Sequence, residues 1–156
     1  MTKSKYLLVY TPLQRRLHWW VAGLIAVQYA MQIWLVDAME RVRGGESIGF
    51  ADFLLTSAHM LIGAAVAYLV VVRLRLRGQM ANHAPVAIFS PVQQLALWAH
   101  RLMYAVLLGM VASGALHYYA DWSFAGQLHE WGDWLLGLLI AMHLAGAALH
   151  FWRQRA

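Results

Sequence analysis

Cysteine is absent from the 156 residues. That excludes disulfides, thiolate-bound iron–sulfur clusters and covalently attached haem, so any metal chemistry must rest on histidine, methionine or carboxylate. Charge is scarce as well: 12% of residues are Asp, Glu, Lys or Arg, against roughly 25% in soluble domains. With 62% hydrophobic residues and a mean hydropathy of +0.52, a soluble globular domain is excluded. No segment is low-complexity and no internal repeat is visible. Nothing ahead of the first apolar run resembles a cleavable leader, with its charged start, short apolar core and small-residue cleavage site. The first run is therefore expected to stay as a span.

What is there is four charge-poor runs at residues 17–36, 53–72, 102–119 and 134–152, each long enough to cross a bilayer. Extended by their polar turns, they predict helices at about 12–36, 52–77, 91–119 and 127–153. The fold expected is all-α, an integral membrane four-helix bundle forming a single domain over 1–156. Two starts are legible: Thr11-Pro12 and Ser90-Pro91 each offer a capping hydroxyl followed by proline at the first helical position.

The net charge of +5 does not point to nucleic acid, because its distribution is polarised. Lys3, Lys5, Arg15, Arg16, Arg73, Arg75, Arg77, Arg101, Arg153 and Arg155 fall on one side of the four spans. Arg41 and Arg43 fall on the other with all seven acids, Asp37, Glu40, Glu46, Asp52, Asp121, Glu130 and Asp133. Basic loops stay in the cytoplasm, so both termini are expected there. Tryptophans 19, 20, 98 and 152 then mark the inner interface and 34, 122, 131 and 134 the outer one.

Histidines carry the chemistry. His129, His143 and His150 are spaced by fourteen and seven residues, which returns them to one helical stripe with about 21 Å between the first two. Ionisable side chains inside a bilayer are costly and mark function. By depth, His18, His100, His143 and His150 belong to the inner half and His59, His117 and His129 to the outer half. His83 sits in the connection between the second and third helices, read as a loop, and His117 is read as an interhelical or interface residue. Histidines at two depths on one stripe, each with counterparts at its own depth, suit two stacked non-covalent bis-histidine haems. His59 is the best mate for His129, with Gly63 one turn on leaving room for a macrocycle. His18 is the best mate for His143, and His100 competes with it. Arg73, fourteen residues beyond His59, either pairs with a haem propionate or snorkels to the cytoplasm.

Taken together, "RLHWW", "AHMLIGAAVAYLVVVRLRLR", "LALWAHRLMY" and "LHEWGDWLLGLLIAMHLAGAALH" make the chain resemble the bacterial cytochrome b561 family. These are four-helix di-haem membrane cytochromes that include superoxide:ubiquinone oxidoreductases. The resemblance covers nearly the whole chain. It implies two haems b, the inner ligated by His18 and His143 and the outer by His59 and His129, and a ubiquinone pocket lined by His100 and His150. There are departures. The outer connection "YYADWSFAGQ" is shorter than in superoxide oxidases, and His150 is followed by Phe151 where the family often has a second histidine.

The function expected is that of an electron-transfer oxidoreductase of the bacterial inner membrane, coupling a periplasmic one-electron donor, with superoxide favoured, to the ubiquinone pool. His100, Arg101 and His150 are placed to serve the quinone, with Gln94 and Lys5 as weaker candidates. An alternative with the same haems is a cytochrome b subunit serving a periplasmic dehydrogenase or hydrogenase, docked on the acidic outer face. A non-haem metal channel would need a polar path between His129 and His143, whereas the intervening stripe is Gly132, Asp133, Leu136 and Ile140. A purely structural membrane subunit leaves the histidine register unexplained. Lipid is the surrounding partner, and the residues leave the oligomeric state open.

Overall fold

Thr11 and Pro12 start the first helix in the way their chemistry favours. The Thr11 hydroxyl accepts from the Gln14 amide at 3.2 Å, and the Gln14 side chain accepts from the Thr11 amide at 3.1 Å. This is a reciprocal capping box. The structure, a computed structural model, describes residues 11–81, 91–153 and 155. Lys3, Lys5, His83 and the expected Ser90 cap lie outside the described residues.

Four helices follow in order: α1 Pro12–Arg43, α2 Phe50–Ala81, α3 Pro91–Ala120 and α4 Ser123–Arg153, with no strand among the described residues. Each is long and apolar enough to cross a membrane. Helix α1 continues past its apolar run because Asp37 and Arg41, one turn apart, form an ion pair that supports the added turns. It stops at Gly44 and Gly45, the latter at φ +92°, a conformation glycine adopts without steric cost. Helix α4 begins earlier than its hydropathy suggests. Only Asp121 and Trp122 separate it from α3, and the Trp122 carbonyl takes the amides of Ala125 and Gly126 at 3.1 and 3.3 Å.

Helices α1 and α2 form one compact hairpin, and α3 and α4 form another. In the first, a stripe on α2 is buried at Val66, Val70 and Arg73, and α1 buries Gln14, Val21 and Ala38. In the second, the buried positions are Leu107 and Ser113 on α3 with Ala125, Leu136 and Leu139 on α4. Large side chains face outward instead: Trp134 is 78% and Trp19 73% exposed. That inverts the arrangement of a soluble protein and suits lipid as the solvent. Between membrane helices the hydrophobic drive is lost, so cohesion comes from close packing and interhelical hydrogen bonds of about 0.6–1.7 kcal/mol each. The polar clasps described next therefore count for more than the apolar area.

Candidate functional site

In the first hairpin, His59 sits in the N-terminal half of α2 and its carbonyl accepts a hydrogen bond from Gln28 Nε2 on α1 at 2.8 Å. A carbonyl can only accept, which fixes the amide with its nitrogen toward α2 and its oxygen turned away. That oxygen is buried and receives no hydrogen bond among the described residues. Gly63 lies on the same side of α2, and a Cβ there would touch Gln28 Nε2 at an ordinary 3.5 Å. At the opposite end of the hairpin, Arg73 is only 9% exposed and its Nη1 donates to the Gln14 carbonyl at 2.8 Å. A snorkelling guanidinium would reach water; this one turns into the first turn of α1. The carbonyl satisfies a donor but brings no countercharge. His18 lies one turn beyond Gln14, half-buried, with its ring 5.6 Å from that of Trp19.

In the second hairpin, His129 Nδ1 lies 2.7 Å from the Met110 carbonyl on α3. Since the carbonyl must accept, Nδ1 carries the proton and the lone pair of the neutral ring is on Nε2. This is the tautomer and the second-shell contact that metal-binding histidines use. Gly114 makes the approach possible, because a Cβ there would stand 3.0 Å from Nδ1 and 3.1 Å from Cε1. Close by, His117 Nδ1 contacts the Trp122 carbonyl at 3.3 Å, and its ring fills the space over Gly126, where a Cβ would meet it at 2.9 Å. His117 thus latches the α3–α4 turn.

Deeper along α3, His100 Nδ1 is 2.7 Å from its own helix's Ala96 carbonyl, which again puts the lone pair on Nε2. Its ring meets that of His143 edge to face, with centroids 4.9 Å apart and planes at 87°. Rings in such contact leave no room for a macrocycle between them. Arg101 is exposed and lies over the Trp98 ring at 5.1 Å, and His150 is exposed near the end of α4. A mostly apolar cavity of about 330 Å³ opens between α3 and α4, lined by Gly109, Met110, Ser113, Trp131 and Gly132 among others.

At the α1–α2 turn of the first hairpin, Arg41 is held by two carboxylates. It bonds to Asp37, and its Nη2 lies 2.7 Å from Asp52. Asp52 also accepts from the Gly49 amide at 3.2 Å. Two formal negative charges therefore outweigh this one cation locally.

Each histidine pair expected from the sequence takes one member from each hairpin, and within the α3–α4 hairpin the structure brings the rings of His100 and His143 into contact. Sequence reasoning missed Gln28, although an amide in an apolar span is a signal in its own right. It also missed Met110 and Ala96, which act through backbone oxygens that any residue type would supply.

The sequence model of the prokaryotic cytochrome b561 family matches residues 9–156. Among curated proteins, a cytochrome b562 of Cereibacter sphaeroides is 28% identical over 142 residues, covering 90% of this chain and 86% of that protein. No solved structure matches the chain.

Proposed function

The chain belongs to the prokaryotic cytochrome b561 family, a multi-pass membrane cytochrome of the haem b, electron-transfer type, and from that premise we propose a specific role. It is a di-haem oxidoreductase of the bacterial inner membrane that passes electrons between a periplasmic one-electron donor and the ubiquinone pool. His18 and His143 hold the inner haem, and His59 and His129 the outer. The observation that carries this reading is the fixed tautomer of His129. Its Nδ1 proton is committed to the Met110 carbonyl at 2.7 Å, so Nε2 is the nitrogen offered to iron.

The pairing of His143 with His18 is supported by the edge contact between His100 and His143, which leaves no space for a haem between those two rings. Arg73 supplies a buried cation at the inner end of the first hairpin, suited to a haem propionate. When bound, the haems supply one-electron redox chemistry at low-spin iron. The chain contributes burial, ligand orientation and proton handling. His100, with its Nδ1 proton committed to the Ala96 carbonyl, can carry a second proton on Nε2 and deliver it to a quinone oxygen as the quinone is reduced, and Arg101 and His150 flank that inner side.

For the donor, superoxide needs positive charge near the outer haem. Arg41 and Arg43 are the two basic residues on the acidic side of the spans, and Asp37 and Asp52 hold Arg41 in ion pairs. This favours the second reading, in which a cationic redox protein, such as a subunit of a periplasmic dehydrogenase or hydrogenase, delivers the electron to the acidic outer face. The test of the core reading is a pyridine haemochrome assay on the purified chain. Two non-covalent haems b per chain are expected. His129→Ala should remove chiefly one and His143→Ala chiefly the other. One haem per chain, or both centres surviving each substitution, refutes the assignment.

A further inference from the structure

Gln28 has no role in the reading so far, yet it is a polar amide in the middle of a membrane span. Its nitrogen holds the backbone of one proposed haem ligand: Nε2 donates to the His59 carbonyl at 2.8 Å. That bond orients the whole carboxamide. The oxygen shares a carbon with the gripping nitrogen, so it stays close to His59, and it is buried with no donor reaching it among the described residues. A buried carbonyl oxygen inside a bilayer has no water to turn to, and its strongest satisfaction is a nearby N–H.

The second hairpin shows what such an arrangement does. There the proposed partner ligand His129 is fixed by an Nδ1–H bond to an oxygen of the neighbouring helix, the Met110 carbonyl. On α1 the residue facing His59 is the amide of Gln28, and the only oxygen it can present is Oε1. We propose that Gln28 is the positioning residue of the outer haem: its nitrogen holds the His59 carbonyl, and when haem is seated its oxygen takes the Nδ1 proton of His59, a bond this structure does not make. The ring is then set with Nε2 toward iron. The outer haem has both axial imidazoles buttressed by an oxygen from the adjacent helix, one from backbone and one from side chain.

The consequence is electronic as well as geometric. An imidazole whose Nδ1–H is bonded to oxygen is a more basic ligand, which favours ferric over ferrous iron and lowers the reduction potential. This inference rests on the haem reading above, and the experiment separates the two. The haem-loaded chain, Gln28→Leu and Gln28→Glu are compared by redox titration of the α-band and by EPR of the oxidised low-spin haems. His59→Ala identifies which haem is the outer one.

Leucine removes both contacts and glutamate keeps an acceptor oxygen. The expected result is an upward shift of the outer potential in Gln28→Leu, with an altered EPR signal, an unmoved inner haem and an outer potential at or below the parent's in Gln28→Glu. No shift in Gln28→Leu overturns the proposal, as does an equal rise in both variants, which would mean that Gln28 only staples α1 to α2. If Gln28→Leu accumulates without its outer haem, Gln28→Glu decides alone: a retained outer haem at or below the parent potential supports the role, and a raised one refutes it. A parent chain without haem would overturn the haem reading itself, and this inference with it.

Discussion

Replacing Gly114 tests the clasp around His129 with the least chemical disturbance. A Cβ at this position stands 3.0 Å from His129 Nδ1 and 3.1 Å from Cε1, tighter than side chains normally pack, so the ring must shift by a few tenths of an ångström. Gly114→Ala gains about 1 kcal/mol of intrinsic helix preference. Against that stands a strained His129–Met110 bond, worth about 0.6 kcal/mol for a typical interhelical bond in a membrane. The two nearly cancel. The melting temperature in detergent should therefore change little, while the potential of the outer haem moves. Gly114→Val adds two methyl groups, an overpacking cost of about 1–3 kcal/mol, and should lose the outer haem while keeping the inner. Gly132→Ala is the matched control. Its Cβ meets the Met110 side chain rather than the His129 ring, 2.7 Å from Cγ and 3.4 Å from Sδ, so the whole Met110 side chain must change rotamer while no added atom presses on the ligand. Haem content by pyridine haemochrome, redox titration and thermal melts on the three variants read this out. Two haems at parental potentials in Gly114→Val would refute the reasoning, because a ligand displaced by a branched side chain cannot leave its iron unaffected.

Three further outcomes follow from the same geometry. Arg73→Leu should lower the potential of the inner haem or loosen its retention, while Arg73→Lys, which keeps the charge, restores it; redox titration of both variants checks this, and two unmoved potentials would remove the propionate role. Arg41→Ala leaves Asp37 and Asp52 uncompensated, so stopped-flow reduction by a cationic redox protein should quicken at low salt and slow as salt is added, since exposed charges are screened beyond about 8 Å at physiological ionic strength. Rapid superoxide reduction that falls sharply in the same variant would return superoxide to first place. His150→Ala should slow reoxidation by quinone without altering the spectrum, whereas His100→Ala should do both because its ring touches His143; unchanged quinone kinetics in both variants would move the quinone site elsewhere.

The number of helices and their capacity to cross a membrane were legible in the sequence, because each depends on local composition. A run of apolar residues is a span wherever its neighbours lie, and Thr11-Pro12 caps a helix through atoms three residues away. The stripe of His129, His143 and His150 was legible for the same reason, since helical period is a property of one segment. The tertiary structure decided what those residues meet. The proton on His129 is placed by a Met110 oxygen that any residue could have carried. The importance of Gln28 depends on lying opposite His59, 31 positions along the chain. The burial of Arg73 follows from its contact with the first turn of α1, 59 positions away. The pairing of Arg41 with Asp52 is made across the α1–α2 turn, 11 positions along the chain. Composition and period are carried by neighbours in the chain, whereas tautomer, ligand orientation and local charge balance are set by atoms that only folding brings together.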